Sequence, residues 1–352
     1  MMVEEMNYRE RLFAALDQNP VDRVPCPGVT QTGTVDLMEA SGAYWPDAHR
    51  DAEKMAKLAW AAYEHAGLEG IRIPFIVYTE ASALGTKLYK WRRDMQPMVE
   101  DVPIKSPEDI DKLEIPDPKE AELTSVVLKA IEILKPKCDA AKIPLTVMVI
   151  APATMSLGGA LVDIMKVMMW VKTNINDVVK LVEKVSEMSL AFAEAVVDAG
   201  ADVIFYNVGI SSRVREYPEV FFPIDREVAG KIRKMGVYMI AHHCSDPRRI
   251  INELVSLGVH GLSIPEPQMI SVKEARELVG DRVALVGGMD QLHTLIKKSP
   301  EDVMKQAKIA IEEGIDVLAP GCGFGPKTPL ANMKAMVEAA RKFGHLARLA
   351  KK

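Results

Sequence analysis

The sequence carries no surplus of positive charge: 44 Lys and Arg stand against 49 Asp and Glu, a net charge of −5. It therefore lacks the basic footprint by which a domain holds nucleic acid. No apolar run approaches the roughly 18–20 residues of a membrane span. The opening stretch, MMVEEMNYRERLFAALDQNP, is charged and helical in pattern and has no apolar centre of the signal-peptide kind. A cytoplasmic location is expected, with neither nucleic acid nor membrane as partner. Cysteine is scarce, and Cys26, Cys138, Cys244 and Cys322 lie far apart. In a reducing compartment that excludes a disulfide framework and leaves packing, metal binding or reactivity. No GxGxxG turn follows the first strand candidate, so nothing marks a dinucleotide site.

What is present is an ordinary globular composition. The 352 residues are 48% hydrophobic and 26% charged, enough for a large core. Twenty methionines read as adaptable core filler. Short β-branched runs alternate with helical stretches, the pattern of parallel strands joined by crossover helices. Eight runs qualify as strands: 23–29, 71–78, 144–152, 201–208, 236–244, 261–266, 282–290 and 316–323. Between them lie segments such as SPEDVMKQAKIAIEEG, where Ser299 suits the N-cap, Pro300 the first turn and Gly314 the stop. Eight strand–helix units predict an α/β fold, a (β/α)₈ TIM barrel forming one domain over 1–352. It would carry an N-terminal helical extension and a short polar insertion, 106–122, before the third strand. A doubly wound open sheet is the alternative.

In a barrel the chemistry gathers at the C-terminal strand ends. The fifth strand ends in His242, His243 and Cys244. Alternation along a strand puts His242 and Cys244 on one side and His243 on the other. A His-x-Cys pair can grip one metal ion, and zinc suits imidazole and thiolate donors. The eighth strand ends in APGCGFGPKTP, which brings Cys322 to the same mouth as a third donor. A lone buried cysteine is ordinarily a small hydrophobe, but three such donors at one end favour a metal. His243 is expected to support or pack. Cys26 is expected to pack near the first strand, and Cys138, in KPKCDAAK, to lie on a helix surface. Other strand ends offer Glu80, Asn207, Glu266 and Asp290. Glu266 is the candidate fourth zinc ligand. Glu80, Asn207 and Asp290 are the catalytic candidates, the carboxylates being able to orient a substrate or a ligand histidine.

These residues give the chain a family likeness. It resembles the corrinoid-dependent methyltransferase branch of the uroporphyrinogen decarboxylase superfamily, and especially methylcobamide:coenzyme M methyltransferases. The likeness runs through VTQTGTVDLMEASGAYWPDAHRDAEKMAKLA, EASALG and EGIDVLAPGCGFGPKTPLANMKAMVEAAR. The segment GVTQTGTVDLM stands where the decarboxylases carry an arginine-rich MRQAGR stretch, which argues against porphyrinogen as substrate. HHCSDPRR and NVGISSRVREYPEVFFP depart from the branch's usual pattern.

The resemblance implies a (β/α)₈ barrel holding Zn²⁺ through His242, Cys244 and Cys322, with the corrinoid carried by a partner protein. It implies methyl transfer from that corrinoid to a thiol such as coenzyme M, by way of a zinc-bound thiolate. Lys327, Arg248, Arg213 and Arg215 are the candidate donors to a sulfonate. Two other readings stay open. Zinc could instead activate a methylated substrate, such as a methoxylated compound, for demethylation onto a Co(I) corrinoid protein. Or the zinc could be structural in a non-catalytic barrel, in which case four protein ligands would close it.

Overall fold

The structure, a computed structural model, describes residues 5–209 and 211–346; residues 1–4 of the expected N-terminal extension lie outside it. It contains the strands β1 (Ile71–Ile73), β2 (Lys87–Tyr89), β3 (Met98–Asp101), β4 (Val147–Pro152), β5 (Val203–Asn207), β6 (Tyr238–His242), β7 (Gly261–Ser263), β8 (Ala284–Met289) and β9 (Val317–Pro320). Seven of them form one sheet in the order β1-β4-β5-β6-β7-β8-β9. Every pairing in it is parallel, and helices cross between successive strands. The antiparallel pair β2–β3 stands apart.

The sheet is a curled half-barrel and not the closed eight-stranded barrel expected. The segment 23–29 runs between the two edges without becoming a strand. Pro25 O accepts from Leu318 N of β9 at 3.0 Å, and Cys26 O accepts from Glu69 N, just before β1, at 3.2 Å. A ladder to β9 would need N–H donors at alternate positions, where Pro25 and Pro27 have none. The amide of Cys26 is taken by the Glu69 carboxylate at 3.0 Å. The edges are therefore bridged by single bonds.

Alternation along the strands sorts the core into two layers. Met148, Ile150, Val203, Phe205, Ile240 and Val286 pack together on the concave face. Met239, Ala241, Leu262, Leu285 and Leu318 face the surrounding helices. Helix α1 (Tyr8–Leu16) closes the N-terminal end: Leu12, Ala15 and Leu16 join the concave cluster, and Phe13 stacks on Tyr238 at the start of β6. Asn7 caps α1 in a reciprocal box with Glu10. With that end plugged, the opposite end is the open mouth.

Other local expectations meet clear outcomes. The helix Pro300–Glu312 has Ser299 accepting from Asp302 N, and Gly314 follows at φ +90°, which suits a residue without Cβ. The excursion before β4 is longer than 106–122, since β2, β3 and the turn Pro107–Lys112 all belong to it. Cys138 is not on a helix surface. It lies on the stripe of Ile131 and Leu134 in the helix Glu122–Asp139 and is fully buried, as is Cys26. Among the described residues no single helix is long and apolar enough to cross a membrane.

Candidate active site

The mouth begins where β5, β6 and β7 end. Asn207 pairs in register with His242, and His242 with Ser263. His242 follows the inward parity of Ile240, so its ring stacks on Phe205 at 5.0 Å between centroids. Its Nδ1 lies 3.0 Å from Ser263 Oγ, which leaves Nε2 as the nitrogen for a ligand. Burial, with the nearby His243 and Arg72 adding, pushes its pKa down to about 3, so the ring is neutral.

His243 faces away. Its Nδ1 is 2.9 Å from Val208 O, and a carbonyl only accepts, so that nitrogen carries the proton. Nε2 is then the acceptor, 2.8 Å from Ser212 Oγ and 3.2 Å from Ser245 Oγ. The ring thereby ties the segment after β5 to the segment after β6. A second anchor of the first segment is Asp225, fully buried, which accepts from Tyr206 and Thr154 hydroxyls on one oxygen and Tyr217 on the other.

The thiols of Cys244 and Cys322 reach solvent at the mouth, yet each is largely walled by protein, which raises both pKa values. Cys322 is raised to about 12, by burial first and then by negative charge at Cys244 and Glu266, with Arg72 opposing. These couplings put Cys322, Cys244, Glu266 and Arg72 in one neighbourhood. Close approach of two backbones sets the place of Cys322. A Cβ on Gly321 would stand 2.7 Å from Glu266 N, so only glycine lets the loop after β9 lie against residue 266. Glu266 Oε2 accepts from Gln291 N at 2.8 Å. Burial raises its pKa to about 7, against the Gln291 bond and helped by the charge of Asp290.

The remaining candidates differ in how free they are. Glu80 opens the short helix Thr79–Ala83, is 1% exposed, and has Oε1 without a hydrogen-bond partner. Burial raises its pKa to about 8. Asn207 Oδ1 is likewise buried and unpartnered. Asp290 is committed to local structure: its carboxylate accepts from His293 N at 2.6 Å, while its amide donates to Gln306. Of the proposed sulfonate donors, Arg248 is paired with Glu274 and Asp246, and Lys327 with Asp94. Arg213 is exposed, and its charge acts on Cys244.

Among the described residues, no three His, Cys, Asp or Glu side chains are gathered closely enough to hold a metal. The donor chemistry nevertheless fits zinc: a neutral imidazole with one nitrogen engaged, two electrostatically coupled thiols and a nearby carboxylate. Arg72, whose charge acts on His242 and Cys322, is a neighbour of these candidates that the strand ends do not reveal. Its signal lay in the triplet IRI of β1, where alternation turns an arginine inward between two outward isoleucines.

The family model for uroporphyrinogen decarboxylase (URO-D) matches residues 7–343. The methylcobamide:CoM methyltransferase MtaA of Methanosarcina barkeri is 34% identical over 346 residues, covering 97% of this chain and 99% of the relative. The methylcobamide:CoM methyltransferase MtbA of Methanosarcina acetivorans is 32% identical over 349 residues, covering 96% and 99%. A solved structure described as a methyltransferase from Methanosarcina mazei superposes with a TM-score of 0.90 at 33% identity, over 96% of this chain and 99% of that one. The curled parallel sheet, the site at its C-terminal end and these near full-length matches together place the chain in the uroporphyrinogen decarboxylase family.

Proposed function

We propose that this protein transfers a methyl group from a methylated corrinoid, carried by a partner protein, to a small thiol. What supports the reading is the similarity of the chain, over nearly its whole length, to methylcobamide:CoM methyltransferases, together with His242 and Cys244 at the end of β6 and Cys322, coupled in charge to Cys244, in the loop after β9. Those relatives are named for coenzyme M, and a thiol of that kind is the acceptor proposed for this chain.

His242, Cys244 and Cys322 would hold Zn²⁺, with Glu266 in a fourth position that substrate can take. Zinc bound there would supply the positive charge that lets a thiol, ordinarily protonated at neutral pH, ionise. The protein's own groups do the rest. Ser263 fixes the His242 ring, and burial keeps that ring neutral and available as a donor. Glu266, once the thiol takes its position, would lie beside that thiol to accept the proton it gives up. Glu80 and Asn207, whose buried oxygens have no partner among the described residues, would orient substrate, and Asp290 caps the turn whose Gln291 amide holds Glu266. In the net reaction a sulfur electron pair forms the S–C bond. The Co–C pair stays on cobalt as Co(I), and the proton leaves through the carboxylate or solvent.

An assay with zinc-replete protein, free methylcobalamin and a panel of thiols tests this reading. Thiol-dependent loss of the Co–methyl absorbance with formation of the methyl thioether is expected. Failure with every thiol would overturn it.

A further inference from the structure

Arg72 is 2% exposed on the concave face, yet among the described residues no ion pair balances its charge. Its Nη1 donates to Pro74 O, a neutral acceptor, and its Nε has no partner. Among the described residues no carboxylate stands within salt-bridge distance of it. The other arginines buried in this fold are treated differently. Arg11 is matched by Asp22 at 2.6 Å, and Arg23 by Glu69 at 2.5 Å. A guanidinium out of water is costly unless paired. Its one printed bond, to a carbonyl oxygen, needs no charge.

Its location gives the exception a meaning. Arg72 turns inward from β1 on the same concave face from which His242 projects, and its charge acts on His242 and Cys322. At the same end Gln31 Oε1, beside the loop of Cys322, and Asn207 Oδ1, beside His242 in the β5–β6 pairing, are buried without partners among the described residues. Native proteins rarely leave such groups unsatisfied, and where they do a ligand commonly completes them. Burial lowers the Arg72 pKa to about 9, which leaves it protonated at neutral pH.

We propose that Arg72 selects the thiol: its planar fork receives the anionic head group, sulfonate or carboxylate, of a short thiol whose sulfur points to Cys244 and Cys322. This assignment rests on the methyl-transfer reading. It differs from pairing with the exposed Arg213, which would hold a head group at the rim. A guanidinium can bind either oxyanion in a bidentate manner, which a lysine ammonium does not.

The head group can be tested without the sulfur. Ethanesulfonate, propionate and neutral propionamide are titrated into the zinc-loaded protein by calorimetry. Both anions should bind and propionamide should not, with the tighter anion identifying the preferred head. R72Q should weaken anion binding about 10- to 100-fold, and R72K should restore part of it, at unchanged zinc content; R72Q, relieved of the buried charge, should melt no lower than wild type. In the methyl-transfer assay, R72Q should raise KM for 2-mercaptoethanesulfonate and 3-mercaptopropionate with little change in kcat, and leave 2-mercaptoethanol unaffected. Equal losses for charged and neutral thiols, or equal binding of propionate and propionamide, would overturn the assignment. If R72Q does not fold, the wild-type preference among the three thiols decides alone: no preference for the anions overturns the proposal. Arg72-dependent anion binding without methyl transfer to any thiol would instead overturn the methyl-transfer reading, while upholding Arg72 as an anion receptor.

Discussion

His242 Nδ1 and Ser263 Oγ stand 3.0 Å apart across the β6–β7 pairing, one residue from a histidine that faces the other way. The pair separates the two histidines by role. Removing His242 should abolish stable zinc binding and methyl transfer together. Ser263→Ala keeps the imidazole but frees it to rotate, and should weaken zinc affinity about 10- to 100-fold. His243→Ala should leave zinc in place, because its ring bonds Val208, Ser212 and Ser245. Zinc stoichiometry by elemental analysis, with chelator competition for affinity, checks all three. Loss of zinc from H243A with retention in H242A would reverse the register.

Gly321 supplies a steric test of how Cys322 is placed. Gly321→Ala puts a methyl group 2.7 Å from Glu266 N and 2.8 Å from Pro265 C, both backbone atoms that cannot yield cheaply. The loop carrying Cys322 must then move. A loss of about 1–3 kcal/mol in stability is expected, along with weaker zinc binding. Urea melts of apo and zinc-loaded protein read the two effects separately. An unchanged zinc affinity would mean that the loop is not held by this contact.

Glu80 should leave a signature in the pH dependence of stability. Its pKa is raised to about 8 in the fold, against an ordinary value of 4.5 when exposed. The folded state therefore holds a proton that the unfolded state has lost between those two values. Stability contributed by this group is full below about pH 4.5 and declines as pH rises toward 8, beyond which it is flat. Glu80→Gln, which stays neutral, should remove that decline and be more stable than wild type at pH 8 by up to about 4 kcal/mol. Melting temperatures from pH 5 to 9 measure it. Parallel wild-type and variant profiles would show that Glu80 ionises freely in the fold.

Much of this was legible in the chain because parity and β-branched runs are local signals. Seven of the eight expected strands formed, and the alternation that turned His242 inward is that of Ile240 before it. The first, 23–29, failed for a reason also written locally, the spacing of Pro25 and Pro27, which strips the donors from one edge. Arg72 was harder to see, since a charged residue in a three-residue strand reads as solvated until its neighbours are known to face outward. The nearness of Cys322 to Glu266 was not legible at all. It depends on two loops meeting at Gly321, and no pattern within either loop encodes the other. Cys138 was misplaced because lysines flank it in sequence, whereas the helix stripe through Ile131 and Leu134 decides its side.

The central claim is that His242, Cys244 and Cys322 hold a zinc ion with one position left for a thiol. X-ray absorption at the zinc edge, with and without 2-mercaptoethanesulfonate, measures this most directly. Two sulfur and two lighter donors are expected in the free protein, with a third sulfur replacing one lighter donor when thiol is added. A closed set of four protein ligands, unchanged by thiol, would contradict the account.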